Sequence, residues 1–350
     1  MTLDTEGVRE ILRTVTAAKG TRCFFDVHVH PFDVVVEDLG YRPDPTQSGV
    51  FGLGAAPYSP MGLGPVRIGA PVAPETLTRG GLLLLQRRMY RHTGPAVLGH
   101  QMALAGIDRA LLLPVAPLTG DGEAQMDTLG AIFGADSRFA CATSVPNSVA
   151  NAGIGEFVAA EVRRRGVAAI KLHPPITGVD LGSAAGRERT EAILDACASH
   201  RLPLVVHGGV SRFARDPQAA SYGSIDRLRD IRWGAGRAPE VIAHAASYGC
   251  SLREIEQEVL PNLARMLSTH DNLLVDVAAL EHDALVLVLQ RVDRDRVLFG
   301  SDALYDPSWS MMAKLVSALR TCGSDVEDAI AAIASDYPSR TVFAGDGRAV

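Results

Sequence analysis

The chain has 350 residues, 47% hydrophobic and 21% charged, which is the composition of an ordinary globular protein with enough length to bury a full core. Its formal net charge of −6 gives no electrostatic basis for binding nucleic acid or an anionic membrane surface. Five scattered cysteines (Cys23, Cys141, Cys197, Cys250 and Cys322), odd in number and never in a CxxC pair, argue against a disulfide framework and against a cysteine zinc site.

The first twenty residues lack the charged-then-apolar layout of a signal peptide. No uncharged apolar run reaches the length of a membrane span, since the leucines at 82–85 are stopped at once by Gln86, Arg87 and Arg88. A cytoplasmic protein with reduced thiols is expected.

Eight short apolar, β-rich runs follow in chain order, at 22–30, 109–116, 138–145, 168–174, 203–209, 240–246, 272–278 and 297–303. Helical periodicity fills several of the intervals, at 155–165, 187–200, 251–269 and 279–292. The basic run Arg163-Arg164-Arg165 reads there as a solvated helix face. Strands alternating with helices of this length pair in parallel through helical crossovers, and eight such units predict an α/β fold of the (β/α)8 TIM-barrel type, one domain over 1–350. An open doubly wound sheet is the alternative that periodicity alone leaves standing.

One interval breaks the rhythm. Residues 31–105 exceed what one loop and one helix need; the first half is rich in Gly and Pro and the second, from 74, is more helical. An insertion above the first strand reads either as a cap over the active-site end or as a dimer contact, and a homodimer is expected. Its Gly-x-Gly spacing does not join a strand to a helix, so it is no dinucleotide fingerprint.

Polar residues at the ends of apolar strands carry the chemistry. In the first run, Asp26, His28 and His30 alternate with Val27 and Val29, which places the three polar side chains on one strand face. The fourth run ends with Lys171 and His173, the fifth with His207, the sixth with His244 and the eighth with Asp302. Burying any of these without a partner costs roughly 2–7 kcal/mol or more. A divalent cation held by neutral imidazoles and a carboxylate resolves that cost, which predicts a metal site.

The succession DVHVH, IKLHP, VVHGG, IAHAA and FGSD resembles the amidohydrolase superfamily, in particular its amidohydrolase-2 branch, typified by aminocarboxymuconate-semialdehyde decarboxylase. The likeness runs from about Phe24 to Phe343, apart from the insertion. It implies a distorted barrel in which His28, His30 and His207 are metal ligands, Asp302 binds the metal or its water, and His244 is a catalytic histidine beside them. The superfamily also implies an alternative with two metals, in which a carboxylated Lys171 and His244 complete the second site; one metal is the preferred reading. Zinc is expected, with manganese, iron or cobalt also compatible with such ligands. Near the C-terminus, Tyr337 stands where the family more often has Asn.

The expected reaction is hydrolysis of a small amide, cyclic amide or lactone. Asp302 would act as general acid–base, and His244 would polarise a carbonyl or stabilise an oxyanion. The alternative is non-oxidative decarboxylation of an aromatic or unsaturated acid, and a third class is a non-catalytic barrel, whose mark would be lost ligands. His173 is either a substrate contact or a strut. Arg212 and Arg215 are either partners for a substrate carboxylate or ordinary surface arginines. Tyr305 is a further candidate substrate contact, with Ser247, Tyr248 and Asp306 placed on similar loops. Asp276 on the seventh run has an inward option as support for a ligand histidine. His92, His100, His200, His270 and His282 fall in helices or at helix ends and are read as structural.

Overall fold

The computed structural model describes residues 2–31, 51–53, 56–58, 63–68, 95–115, 123–211, 214, 216–234, 236–303 and 305–344. Eight strands are the framework: β1 (Phe25–Val29), β2 (Arg109–Leu112), β3 (Phe139–Ser144), β4 (Ala169–Leu172), β5 (Leu204–Val206), β6 (Glu240–Ile242), β7 (Leu273–Asp276) and β8 (Val297–Leu298). They pair in sequence order, every pair parallel. The last strand returns to the first. Val27 N–H donates to the Phe299 carbonyl at 2.9 Å, Asp302 N–H to His28 at 2.8 Å, and His30 N–H to Ala303 at 3.0 Å. The barrel therefore closes between β8 and β1, and the open-sheet alternative is set aside.

Apolar residues on both strand faces explain why these runs are strands. Val27, Leu111, Ala142, Ala169, Val205 and Val241 form one buried cluster with Phe343, while Val29, Leu112, Ile170, Val206 and Ile242 pack into the larger shell with the helices. Around them run α1 (Thr5–Lys19), α2 (Pro95–Leu104), α3 (Glu123–Phe133), α4 (Ile154–Arg165), α5 (Ala184–His200), α6 (Leu260–Thr269), α7 (His282–Arg291), α8 (Ser308–Thr321) and α9 (Val326–Ala331). The helix expected over 251–269 starts from a capping box on Ser251 and Glu254 and passes through a π turn at Ile255–Val259 before α6. The helix expected from 279 begins three residues later, because Ala279 has φ +52° and Glu281 is still extended, at φ −76° and ψ 157°.

The strand-and-helix rhythm passes over α1, which precedes β1. Its signals are ordinary: the Asp4 side chain accepts from Gly7 N–H at 2.8 Å, and Val8, Ile11, Leu12 and Val15 bury one face against α8 and α9. Within the interval 31–105 the described elements are the antiparallel pair Phe51–Leu53 with Ala56–Tyr58, the short strand Val66–Arg67, which pairs antiparallel with Thr2–Leu3 before α1, and α2. The remainder of that interval, His92 included, lies outside the described residues, and so do Arg212 and Arg215. Among the described residues no helix is long and apolar enough to cross a membrane. All five cysteines are free thiols.

Candidate metal centre

The C-terminal ends of the strands bring the polar residues together, and all of them are buried: Asp26 and His28 have no exposure, and His30, Lys171, His173, His207, His244, Asp276 and Asp302 have 9% or less. His28 and His30 enter from one face of β1, as the alternation predicts. Gly300 makes room for them. A Cβ there would stand 2.8 Å from the His28 Cβ and 3.2 Å from that of Ala278.

Each inward imidazole is oriented from behind. His30 Nδ1 lies 2.9 Å from the Leu113 carbonyl and His244 Nδ1 lies 2.8 Å from the Ala278 carbonyl. A carbonyl only accepts, so both Nδ1 atoms carry the proton and both Nε2 atoms present a lone pair. His28 Nδ1 faces the Asp276 carboxylate at 2.9 Å, which favours the same tautomer. Asp276 is the keystone of this wall: its Oδ1 also accepts from His244 N–H at 2.8 Å and from Ala278 N–H at 3.0 Å.

The atoms these supports aim inward converge. His28 Nε2 and His30 Nε2 are 3.2 Å apart, and Asp302 Oδ1 lies 3.1 Å from His30 Nε2 and 3.4 Å from His28 Nε2. One ligand atom from each of His28, His244 and Asp302 lies within 4.8 Å of the other two. Asp302 Oδ1 has no hydrogen-bond partner, and neither has the buried His207 Nε2. Lone pairs and a carboxylate oxygen crowded together repel one another unless a cation sits among them. The donor set therefore fits a divalent metal.

Electrostatics agree. Burial first, then the neighbouring Lys171 ammonium, holds His28 well below the ordinary histidine pKa; burial likewise lowers His173, His207 and His244. Neutral imidazoles are what a metal requires. Burial raises the Asp302 carboxyl, and what holds it below the usual carboxylate range is positive charge on the imidazoles around it, His30 first and then His28 and His244; with those rings neutral, a cation among them would supply that charge instead. Burial pushes Lys171 down to about 8 against the pull of Asp276 and Asp302, and its Nζ reaches to 3.4 Å from His28 Nε2.

The other expected residues lie around this centre. His207 is beside His244, ring centroids 4.9 Å apart, and stacks on His173 at 4.0 Å and 12°. Tyr305 meets the His30 ring edge-on at 5.8 Å, and Tyr248 approaches both His207 and His244. Asp26, pushed up to about 7 by burial, accepts from Ser301 N–H at 2.9 Å and from the Ser308 hydroxyl at 3.1 Å, tying β1 to the loop that carries Asp302. Sequence reasoning did not find the Leu113 and Ala278 carbonyls, because a backbone acceptor leaves no residue-type signal. His282 lies at the start of α7, with Asp283 Oδ1 at 2.9 Å from its Nδ1 and the Thr321 hydroxyl at 3.3 Å from its Nε2.

A barrel whose strand ends carry this buried cluster of histidines and acids has the architecture of the metal-dependent amidohydrolases. The family profile described as Amidohydrolase (Amidohydro_2) matches residues 25–333, and the chain belongs to that family of enzymes. Among solved structures it is similar to 5-carboxyvanillate decarboxylase from Sphingomonas paucimobilis, at 12% identity and TM-score 0.53 over 92% of this chain and 99% of that one. It is also similar to 2,6-dihydroxybenzoate decarboxylase from Rhizobium, at 13% identity and TM-score 0.55 over 76% and 93%. A third likeness is to 4-oxalomesaconate hydratase from Rhodopseudomonas palustris, at 15% identity and TM-score 0.51 over 92% and 95%. At these identities the likeness is one of fold. No protein of curated function matches the chain in sequence.

Proposed function

We propose that the chain is a metal-dependent hydrolase of a small amide, cyclic amide or lactone, built on one divalent cation, with zinc the leading candidate. The observation that carries this reading is the convergence of the His28 and His30 Nε2 atoms on an ionised, unpartnered Asp302 oxygen. His28, His30, Asp302 and His207 or His244 would hold the cation. When bound, it would supply Lewis acidity, polarising a carbonyl and acidifying water.

Asp302 Oδ1, anionic and without a hydrogen bond, can take a proton from an attacking water and return it to the leaving group. His244, its Nδ1–H fixed by the Ala278 carbonyl, offers the Nε2 lone pair to the cation or to a proton; only after taking that proton can it donate to an oxygen that gains charge. Lys171 provides a positive charge inside a site that excludes water, where an anionic substrate group gains most from it. His173 and Tyr305 are placed to bound the substrate, as is Arg212 by its position in the sequence.

The buried Lys171 also favours a second reading, decarboxylation, because it suits a carboxylated substrate, and two of the structures of similar fold are decarboxylases of aromatic acids. One experiment separates the two. Protein reconstituted with zinc or manganese is incubated in 18O-water with a panel of lactones, cyclic amides and hydroxybenzoates. Incorporation of 18O into an opened product supports hydrolysis, whereas carbon dioxide release without it overturns hydrolysis in favour of the lyase.

A further inference from the structure

Lys314 stands on α8 among Met311, Met312, Leu315 and Val316, all fully buried, and its own side chain is only 9% exposed. A lysine in such a position carries a desolvation cost that an apolar residue would avoid. Its ammonium is met by two carboxylates, Asp306 at 2.8 Å and Glu281 at 3.3 Å, which keep it charged in spite of burial. The two acids belong to different loops. Asp306 ends the turn that follows β8, where Tyr305 N–H and Asp306 N–H donate to the Asp302 carbonyl at 2.9 and 3.3 Å. Glu281 ends the loop that follows β7, three residues after the carbonyl of Ala278 that orients His244.

Both loops hold a non-glycine residue in left-handed backbone, Asp302 at φ +65° and Ala279 at φ +52°. Such conformations persist only where the surroundings over-determine them. We propose that Lys314 is a positioning residue for the metal centre: through Asp306 and Glu281 it locks the Asp302 loop and the Ala278–Glu281 loop in one relative arrangement, and so sets the geometry between Asp302 and His244. This rests on the metal reading above. Lys314 touches neither the cation nor the substrate, and it acts through the two loops.

The test uses the full chain, stripped of metal and titrated with cobalt(II), with the visible absorption band as a report on coordination geometry and with zinc affinity measured by competition against a chromophoric chelator. K314M and D306N are expected to weaken zinc and cobalt binding by about tenfold or more, the size of effect that outer contacts of metal ligands produce, and to shift the cobalt band. K314R, which keeps the charge, is expected to recover most of both. Folded K314M with the wild-type band and affinity overturns the proposal, whatever its melting temperature, because a merely structural ion pair would move only the latter. If K314M does not fold, D306N decides, since it retains the lysine and its other partner; a wild-type band and affinity in D306N overturns the proposal equally. Wild-type protein that binds no cobalt would instead refute the metal reading on which this rests.

Discussion

Replacing Asp276 by Asn changes one atom of the wall behind the metal centre and tests its logic. The Asn carbonyl oxygen can stay where Oδ1 is, still accepting from His244 N–H at 2.8 Å and Ala278 N–H at 3.0 Å. The amide nitrogen then replaces the Oδ2 that faces His28 Nδ1 at 2.9 Å. A donor now opposes Nδ1, so the imidazole proton moves to Nε2, where it points at His30 Nε2 only 3.2 Å away. The lone pair that His28 offered is gone. Outer contacts of this kind are worth about 10- to 100-fold in metal affinity, and loss of the donor atom places D276N toward the upper figure, or about 2.7 kcal/mol. The fold is affected less: one charged hydrogen bond worth roughly 1.5–3 kcal/mol is lost, but so is the cost of burying a carboxylate that burial has already raised. The assay pairs urea denaturation of metal-free protein with zinc competition against a chromophoric chelator. Wild-type zinc affinity in folded D276N would falsify the tautomer argument. D276A supplies the contrast, since it leaves two buried N–H groups unpaired at roughly 1–3 kcal/mol each and is expected to lose far more stability than D276N.

Chelation should lower the melting temperature, because a ligand at a hundred times its Kd contributes about 2.7 kcal/mol to the native state; melting curves with and without a chelator that superimpose would count against a metal held by these residues. Gly300→Ala forces a Cβ to within 2.8 Å of the His28 Cβ, with an expected loss of about 1–3 kcal/mol and weaker metal binding, both measurable in the assays above. The Asp26 carboxyl, raised by burial to about 7, contributes stability that is fully present below its ordinary value of 3.8 and is lost as the pH climbs through about 7. D26N should therefore flatten the pH dependence of the urea midpoint across that window, and an unchanged slope would sink the assignment. Cys197, buried and with its thiol pKa pushed up by burial, should resist a thiol reagent in native protein and react only on unfolding; modification at the rate of an exposed cysteine would contradict its place in the core.

The barrel was legible because each strand is an apolar run cut short by turn residues, and because His28, His30, Lys171, His207, His244 and Asp302 stand at equivalent ends of five such runs. Periodicity could not show that the sheet closes, since closure rests on backbone bonds between 27–30 and 299–303. Nor could it give the tautomers: two of the three Nδ1 atoms are fixed by carbonyls of Leu113 and Ala278, and any residue at those positions supplies a carbonyl. Asp276 was visible as a lone acid in an apolar strand, yet its three simultaneous partners come from two other strands or from beyond its own. Lys314 lies on α8, which the strand-and-helix reading did not pick out, and a single lysine in a helix ordinarily marks the solvent face.

The backbone itself separates the active-site end from the rest of the barrel. Among the described residues six non-glycine positions have positive φ: Arg201 closes the C-terminus of α5, and the other five are His244, Ala245, Ala246, Ala279 and Asp302, on the loops that leave β6, β7 and β8. Each such conformation costs on the order of 1–2 kcal/mol, and a fold under selection for stability alone would place glycine there. Glycine at 244 or 302 would relieve that strain but remove the imidazole or the carboxylate from the centre. Alanine at 245, 246 and 279 carries no such chemistry, so its tolerance depends on the packing that holds His244 and Asp302 beside it, including the close approach of Gly208 to Ala246 and the ion pairs of Lys314. Backbone strain in non-glycine residues thus gathers, among the described residues, on the loops that carry His244 and Asp302, beside the unpartnered Asp302 Oδ1 and His207 Nε2; a bound cation would relieve the electrostatic part of that cost.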